Sequence, residues 1–104
     1  MFDIIIIGHL THDDIKIEGR DFLRLLGGTA AYSSLMASRL GASVGVVSKI
    51  GRDFDFTETL RDYGVDLKGL RVVEKETTVF ENVYERCRRR IQRVKHMCED
   101  ISLR

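Results

Sequence analysis

The chain has 104 residues, which is enough for one small domain and too few for two. Hydrophobic residues make up 43% of the sequence, so it can form a core and is not expected to be disordered. The 17 basic and 16 acidic residues give a net charge of +1, which argues against a strong overall attraction to nucleic acid or to membranes. The two cysteines, Cys87 and Cys98, fit neither a zinc spacing nor a disulfide framework, which favours free thiols and a cytoplasmic location.

The first predicted strand is the apolar, largely β-branched run at residues 2–7. A strand with no polar face is typical of the centre of a sheet that is covered on both sides. The run is far too short to span a bilayer, and we expect no membrane partner. After it, residues 10–26 contain two short apolar segments on either side of Gly19, which predict two strands around a turn.

Residues 29–40 are predicted to form a helix that Thr29 caps and Gly41 ends. One side of this helix has only small residues, and the other side is bulkier. The small side comprises Ala30, Ala31, Ser34, Ala37 and Ser38, and the bulkier side comprises Tyr32, Leu35, Met36 and Leu40.

The second half of the chain continues the alternation of strands and helices. A buried strand is predicted at 43–50 and a short helix at 55–63, with Asp55 and Glu58 as a capping box and Gly64 as its stop. The helix carries its apolar stripe on Phe56, Leu60 and Tyr63. Further strands are predicted at 70–73, 79–84 and 90–94, the last two as a hairpin across residues 86–89.

This order of elements predicts an α/β fold. Alternating strands and helices favour a parallel sheet with flanking helices and right-handed crossovers. The two hairpin segments do not fit that alternation, and we expect them to form a second, smaller sheet beside the main one. In such folds ligands bind at the carboxyl ends of the strands. Gly27 and Gly28 stand there, before the first helix, where backbone amides could approach a ligand; a plain loop is the alternative.

Three segments of the sequence carry a recognisable pattern: DIIIIGHLTHDDI, GGTAAYSSLMASRLGASVGVVSKIGRDF and GVDLKGLRVVEKETTVFENVY. Together they resemble the ribokinase-like (PfkB-type) family of sugar and nucleoside kinases. The segment GGTAAYSSLMASRLGASVGVVSKIGRDF is similar to the family's N-terminal signature, with matches at Gly27, Gly28, Leu40, Gly41, Gly51 and Asp53. The start DIIIIGHLTHDDI resembles the family's first strand followed by a substrate-binding acid, for which Asp13 is the best match. The segment GVDLKGLRVVEKETTVFENVY extends the resemblance, which covers the chain to about Val94.

The resemblance implies a partial ribokinase-like fold with a small β-sheet lid over an α/β core. Residues 10–26 and 79–94 would form the lid, and residues 1–9 and 27–78 the core of a single incomplete domain. The implied activity is transfer of a phosphoryl group from a nucleotide to a hydroxyl of a sugar-like or nucleoside substrate. Asp13 would accept hydrogen bonds from substrate hydroxyls, and Gly27, Gly28 and Thr29 would complete the substrate site.

The family's catalytic base and nucleotide site lie on a later Gly-Ala-Gly-Asp-type motif that these 104 residues do not contain. The sequence therefore resembles the N-terminal third of such an enzyme, and we assign it no catalytic residue and no metal ligand. ATP and Mg²⁺ are expected only for a complete family member. The resemblance also implies a homodimer through the lid strands, or a complementing C-terminal chain. Tyr32 stands where many members have asparagine.

Several other interpretations of these residues, some structural and some functional, remain open. A stand-alone, self-associating module could reuse the half-fold, because a sheet without its partner strands exposes an apolar edge. The arginines of the hairpin could bind nucleic acid, although a solvated hairpin tip is the more ordinary interpretation; they are Arg86, Arg88, Arg89, Arg90 and Arg93. His9 and His12 could form a metal pair, a less favoured interpretation. Asp53 is interpreted as a structural turn residue, and Asp13 with Asp14 could be a solvated turn.

Overall fold

A computed structural model describes residues 1–85 and 90–102. Within these residues the chain forms seven strands and two helices. In chain order they are β1 (Ile4–Ile7), β2 (Thr11–Ile17), β3 (Arg20–Gly27), α1 (Thr29–Arg39), β4 (Val44–Gly51), α2 (Thr57–Asp62), β5 (Asp66–Val73), β6 (Thr78–Tyr84) and β7 (Arg90–His96).

The first sheet has the strand order β1-β4-β5, and both of its strand pairs are parallel. It confirms the predicted α/β class, since α1 connects the hairpin that follows β1 to β4 and α2 connects β4 to β5. Strand β5 begins at Asp66, four residues before the predicted start. The difference arises because β5 follows β4 along most of its length, from the pair Gly45 and Asp66 to the pair Gly51 and Val73.

The second sheet has the order β3-β2-β6-β7 and combines both predicted hairpin segments. Its outer pairs, β2 with β3 and β6 with β7, are antiparallel, as predicted. The central pair, β2 with β6, is parallel, with Thr11 opposite Thr78 and Asp13 opposite Phe80. The predicted turn at residues 86–89 lies outside the described residues. We call this second sheet the four-stranded sheet.

The core lies between the parallel sheet and the helices, and it extends under the start of β2. Its buried members are Leu10, Ala30, Ala31, Val46, Ile50, Phe54, Leu60 and Val65. Burial of each large aliphatic side chain in such a cluster contributes about 1.5–3 kcal/mol. The small side of α1 allows a close approach, because a Cβ on Gly8 would already touch the Cβ of Ala30 at 3.4 Å.

The prediction that the first strand is central is wrong. Among the described residues, strand β1 is an edge strand that pairs with β4, and the central strand is β4. Ile5 and Ile7 are 57% and 69% exposed, because no described element packs on the far side of β1. The predicted bulkier side of α1 is also largely exposed at Tyr32, Met36 and Leu40. An apolar sequence does not by itself determine which other element of the fold packs against it.

Both predicted N-terminal caps are wrong, and the predicted C-terminal stops are right. Gly28, with φ of 96°, is the N-cap of α1, so Thr29 is already helical and its side chain makes no capping bond. Helix α2 begins after Phe56 without a side-chain cap. The proposed partners of that capping box are engaged elsewhere, Asp55 with Arg24 and Glu58 with Arg61. Both helices end before glycines with positive φ, Gly41 and Gly64.

Among the described residues, the helices are too short to cross a bilayer.

Candidate functional site

A cleft of about 370 Å³ opens where the end of β1, the start of α1 and the four-stranded sheet meet. Three of the four predicted site residues, Asp13, Gly28 and Thr29, line this cleft, and Gly27 lies directly against Asp13. The other lining residues are Ile6, Ile7, Gly8, His9, Thr11, Ala30, Phe80 and Gln92. The residues singled out in the sequence therefore converge on one cavity.

Gly27 provides the space that the carboxylate of Asp13 occupies. A Cβ at residue 27 would lie 2.2 Å from Asp13 Cγ and 2.3 Å from both of its oxygens. The cause is the sheet register, in which Thr11 faces Gly27 and Asp13 faces Leu25 across the β2–β3 pair. No real side chain fits at such a distance, so glycine at this position is what allows the carboxylate to lie there.

Gly28 turns the chain from β3 into α1. Its φ of 96° is in the left-handed region, which glycine adopts without strain. A Cβ here would also meet the carbonyl oxygen of His9 at 2.7 Å. After the turn, Thr29 and Ala30, the first residues of α1, line the cleft. The first N–H groups of a helix have no partner within it and carry a partial positive charge, which suits a hydroxyl oxygen or an anion.

Thr11 fixes the orientation of the Asp13 carboxylate. Its hydroxyl donates a hydrogen bond of 2.7 Å to Asp13 Oδ1, and the threonine itself is buried. The second oxygen of Asp13 has no hydrogen bond to a described residue that would compete with a ligand. Sequence reasoning missed Thr11, although its position two residues before the acid on the same strand face is a usable signal.

A bulge in β3 beside Asp13 was not predicted either. The register of the β2–β3 pair shifts between Asp13 and Ile15, because β3 contains an extra residue there. Arg24, in this bulge, has φ of 56°, which is unusual for a residue other than glycine. Three contacts hold Arg24 in this conformation. Its N–H donates to Asp14 Oδ1 at 2.9 Å, and its Nη2 lies 2.7 Å from the Asp53 carbonyl oxygen and 3.1 Å from Asp55 Oδ2. The bulge thus ties the four-stranded sheet to the loop after β4.

Asp14 faces the opposite side of the four-stranded sheet from Asp13. It is buried and accepts hydrogen bonds from the Arg24 N–H and from Lys95 Nζ, both at 2.9 Å. Burial alone would raise the pKa of its carboxyl, but these two hydrogen bonds and the charge of Lys95 outweigh it and hold that pKa below its ordinary value. Asp14 is therefore a structural ion-pair residue, and only Asp13 of the two acids faces the cleft.

The two histidines proposed as a metal pair have separate partners. His12 is buried, stacks on Phe54 with 5.4 Å between ring centroids, and accepts a 3.2 Å hydrogen bond at Nε2 from the Asp55 N–H. Burial first, and then the charge of Arg24, lower its pKa. His9 Nε2 instead lies 2.9 Å from the Glu99 carbonyl oxygen. Within residues 1–85 and 90–102, no three His, Cys, Asp or Glu side chains are grouped as metal ligands.

Asp53 has the structural role that its sequence position indicates. Its Oδ1 accepts hydrogen bonds from the N–H and the hydroxyl of Thr77, at 2.9 and 2.8 Å. Burial would raise the pKa of Asp53, but the two bonds from Thr77 prevail and lower it. These bonds join the loop after β4 to the start of β6, which fixes the four-stranded sheet on the parallel sheet.

Three further sequence observations concern the hairpin arginines, Tyr32 and the cysteines. Of the five hairpin arginines, Arg90 and Arg93 lie exposed on β7, and Arg86, Arg88 and Arg89 lie outside the described residues. Nucleic-acid binding therefore stays a sequence-based hypothesis.

The Tyr32 hydroxyl donates to the Leu26 carbonyl oxygen at 2.8 Å, so this side chain supports the end of β3. Of the two cysteines, Cys98 is a free, buried thiol, and Cys87 lies outside the described residues.

The family model for the pfkB family of carbohydrate kinases matches residues 1–86, which include every element of the cleft except β7. The chain belongs to the pfkB family. It is 30% identical over 86 residues to a cytidine kinase of Thermococcus kodakarensis, an alignment that covers 81% of this chain and 31% of that protein. It is 33% identical over 82 residues to an inositol 3-kinase of Arabidopsis thaliana, covering 79% of this chain and 21% of that protein.

The fold agrees with the family assignment. A sugar kinase of Pyrococcus horikoshii superposes with a TM-score of 0.76 at 27% sequence identity, over 86% of this chain and 34% of that one. This pfkB-family chain thus spans between about a fifth and a third of the length of the relatives it matches. The match begins at residue 1 of this chain, and the family resemblance stated from the sequence is confirmed.

Proposed function

We propose that this chain is the substrate-binding and lid part of a pfkB-type kinase, which acts on a hydroxyl of a sugar-like or nucleoside substrate. The observation that carries the proposal is the seating of the Asp13 carboxylate on Gly27, in the cleft that Gly28 and Thr29 also line. A carboxylate with one oxygen oriented by Thr11 and the other free is suited to accept hydrogen bonds from a diol. The kinds of substrate are supported by relatives that are a cytidine kinase and an inositol 3-kinase.

In this proposal, each part of the cleft has a separate task. Asp13 accepts hydrogen bonds from substrate hydroxyls and so fixes which hydroxyl faces the phosphoryl donor. The first N–H groups of α1, at Thr29 and Ala30, donate to substrate oxygens. The four-stranded sheet covers the substrate and keeps water from competing with it for the phosphoryl group.

We further propose that the 104-residue chain binds substrate but does not transfer phosphoryl groups by itself. ATP and Mg²⁺ would serve a complete family member, and we assign neither of them to this chain. No cluster of three potential metal ligands occurs in residues 1–85 or 90–102, and Asp13 is the acid that lines the cleft. In-line transfer also needs a base and charge stabilisation, for which the sequence contains no Gly-Ala-Gly-Asp-type motif.

Binding of candidate substrates by the purified chain tests the first proposal. We expect cytidine, ribose or myo-inositol to bind in calorimetry, and Asp13→Asn to weaken that binding by about tenfold, because a charged acceptor is replaced by a neutral one. Asp62→Asn is the matched control, since Asp62 is an exposed acid at the end of α2. Equal affinities for the native chain and Asp13→Asn would contradict the proposed role. ATP-dependent phosphorylation of a substrate by this chain alone would contradict the proposed inactivity.

A second proposal concerns assembly, either as a homodimer through the four-stranded sheet or with a chain that completes the parallel sheet. It is supported by apolar side chains exposed on both surfaces, Leu23 on β3 at 61% and Ile7 on β1 at 69%. Sedimentation separates the two forms: Leu23→Glu should dissociate a homodimer, whereas Ile7→Glu should abolish recruitment of a complementing chain. A compact monomer at micromolar concentration that recruits no partner would contradict both.

A further inference from the structure

The segment after β7, residues 97–99, lies between the two sheets and is bound to both. Cys98 is 3% exposed, and its N–H donates a hydrogen bond of 2.9 Å to Thr78 Oγ1 on β6 of the four-stranded sheet. Glu99 Oε1 lies 2.8 Å from Lys49 Nζ on β4 of the parallel sheet. We call residues 97–99 the strap, since they connect the two sheets although they form no helix or strand themselves.

A third contact of the strap reaches the substrate cleft. His9 lines that cleft, and its Nε2 lies 2.9 Å from the carbonyl oxygen of Glu99. Because a carbonyl oxygen can only accept a hydrogen bond, Nε2 must carry the proton, and Nδ1 of the neutral ring is then an acceptor. The main chain of His9 is held as well, since a Cβ at Gly28 would come within 2.7 Å of its carbonyl oxygen. The strap and the turn before α1 therefore fix the ring and the main chain of the same cleft residue.

The ion pair between Lys49 and Glu99 determines where the strap lies. The lysine side chain is 8% exposed, and an ammonium group so far removed from water needs an opposite charge beside it. The hydrogen bond and the charge of Lys49 lower the pKa of the Glu99 carboxyl, so the carboxylate stays ionised at neutral pH. The carbonyl group that accepts the hydrogen bond from His9 belongs to the same glutamate. The position of that acceptor therefore depends on the ion pair.

We propose that the strap preorganises the substrate cleft, and that Glu99 is a positioning residue which acts through His9. This inference rests on the proposed substrate site at Asp13 and goes beyond it, because the strap does not itself line the cleft. With the strap in place, the His9 ring is held in one orientation and one tautomer before a ligand arrives. Without the strap, ligand binding has to order that ring, which lowers the affinity. The strap also contacts the four-stranded sheet beside the acid, since Thr78 is paired with Thr11, whose hydroxyl orients the Asp13 carboxylate.

Calorimetric titration of the purified chain with cytidine and with myo-inositol tests this inference. We expect Glu99→Gln to weaken binding of whichever ligand the native chain binds by about fivefold, the effect of having to order one side chain on binding. Glu74→Gln is the matched control and should bind as the native chain does, because it breaks an ion pair of exposed side chains. Lys49→Met/Glu99→Gln removes the buried charge as well, so it should regain stability but not affinity. Native affinity in this double variant would overturn the role of the strap.

Two further measurements show whether Glu99 acts through His9. NMR of the imidazole nitrogens should show one tautomer of His9, protonated at Nε2, in the native chain and a mixture of tautomers in Glu99→Gln. His9→Phe should weaken binding, and Glu99→Gln should then add no further loss, because the group that it positions is absent. An unchanged tautomer in Glu99→Gln, or additive losses of affinity in the two single variants and the double, would contradict the inference.

The variants also separate this inference from the proposed function. If Asp13→Asn weakens binding but Glu99→Gln does not, the strap has no positioning role and the substrate site stands. If neither cytidine nor myo-inositol binds to the native chain, the substrate site itself is wrong, and this inference falls with it.

Discussion

The carboxylate of Asp13 rests on the Cα of Gly27, so close that a methyl group at residue 27 would lie 2.2 Å from Asp13 Cγ. The two residues are on neighbouring strands, and the hydroxyl of Thr11 donates a hydrogen bond of 2.7 Å to the carboxylate. The position of the acid in the cleft therefore depends on the absence of a side chain at residue 27. This dependence can be tested by substitution at each position.

Gly27→Ala should displace the Asp13 carboxylate and thereby weaken ligand binding at least as strongly as Asp13→Asn does. Because the methyl group overlaps a side chain in a packed sheet, we expect a loss of about 1–3 kcal/mol in the free energy of unfolding. Chemical denaturation measures the stability, and calorimetry with cytidine measures the binding.

The double variant Gly27→Ala/Asp13→Ala separates steric conflict from loss of function. Asp13→Ala removes all three atoms that the new methyl would meet first, so the double variant should recover most of the lost stability without recovering binding. Strictly additive losses of stability in the two single variants and the double would show that the two residues are not in conflict.

Gly28→Ala and Gly41→Ala form a matched pair that isolates the close approach of His9. Both glycines have nearly the same positive φ, 96° and 94°, so alanine should cost about 1 kcal/mol at either position for conformation alone. Only at Gly28 does a Cβ meet backbone, the His9 carbonyl oxygen at 2.7 Å, while nothing lies within 4 Å at Gly41. Gly28→Ala should therefore be the more destabilising in denaturant titration. Equal losses would show that the turn before α1 has room for a side chain.

The sequence predicted those parts of the fold that local patterns determine. Alternation of apolar residues located the strands of the four-stranded sheet, and glycines with positive φ marked both helix ends. The failed predictions depended on partners far along the chain. The run at Ile4–Ile7 is apolar on both faces, yet β4 took the centre of the sheet. Asp55 had the spacing of a cap, but Arg24 binds it from another sheet.

The same distinction holds for the candidate site. Asp13, Gly28 and Thr29 were found because they resemble a family motif, and the cleft brings them together. Thr11 and Arg24 were missed. The bulge at Arg24 comes from the pairing of β2 with β3, which has no signal in the local composition of the chain. Thr11 does have a signal, because it stands two residues before Asp13 on the same strand face.

His12 should make the stability of the protein depend on pH in the weakly acidic range. Its pKa is lowered from 6.5, mainly by burial. As the pH falls below that value, His12 therefore becomes protonated in the unfolded chain before it does so in the folded chain. The contribution of neutral His12 is complete above that value and is lost as the pH falls below it. His12→Gln should flatten the decrease in the free energy of unfolding as the pH falls below about 6.5.

The decrease at lower pH should remain in that variant. The pKa values of Asp14 and Asp53 are lowered from 3.8 by their hydrogen bonds, so their contributions persist above that pH and disappear below it. Urea titrations at a series of pH values provide the measurement. An unchanged slope in the weakly acidic range after His12→Gln would mean that another group is responsible for it.

Lys49 and Glu99 should contribute more to stability than an ion pair of similar length on the surface. Lys49 Nζ lies 2.8 Å from Glu99 Oε1, and the lysine side chain is 8% exposed in the central strand β4. The Arg52–Glu74 pair has a 3.0 Å contact but is 78% and 88% exposed. Glu99→Gln would leave a buried ammonium without its counter-charge, whereas Glu74→Gln removes a screened pair worth less than about 1 kcal/mol.

Chemical denaturation of the two variants should therefore give the larger loss for Glu99→Gln. The double variant Lys49→Met/Glu99→Gln should recover stability, because methionine fills the same space without a charge to desolvate. The segment that carries Glu99 is also held by the Cys98 N–H, which donates to Thr78 Oγ1 at 2.9 Å, and by His9 at the Glu99 carbonyl oxygen. If both glutamate variants lose the same stability, these backbone contacts alone hold the segment and the ion pair adds nothing.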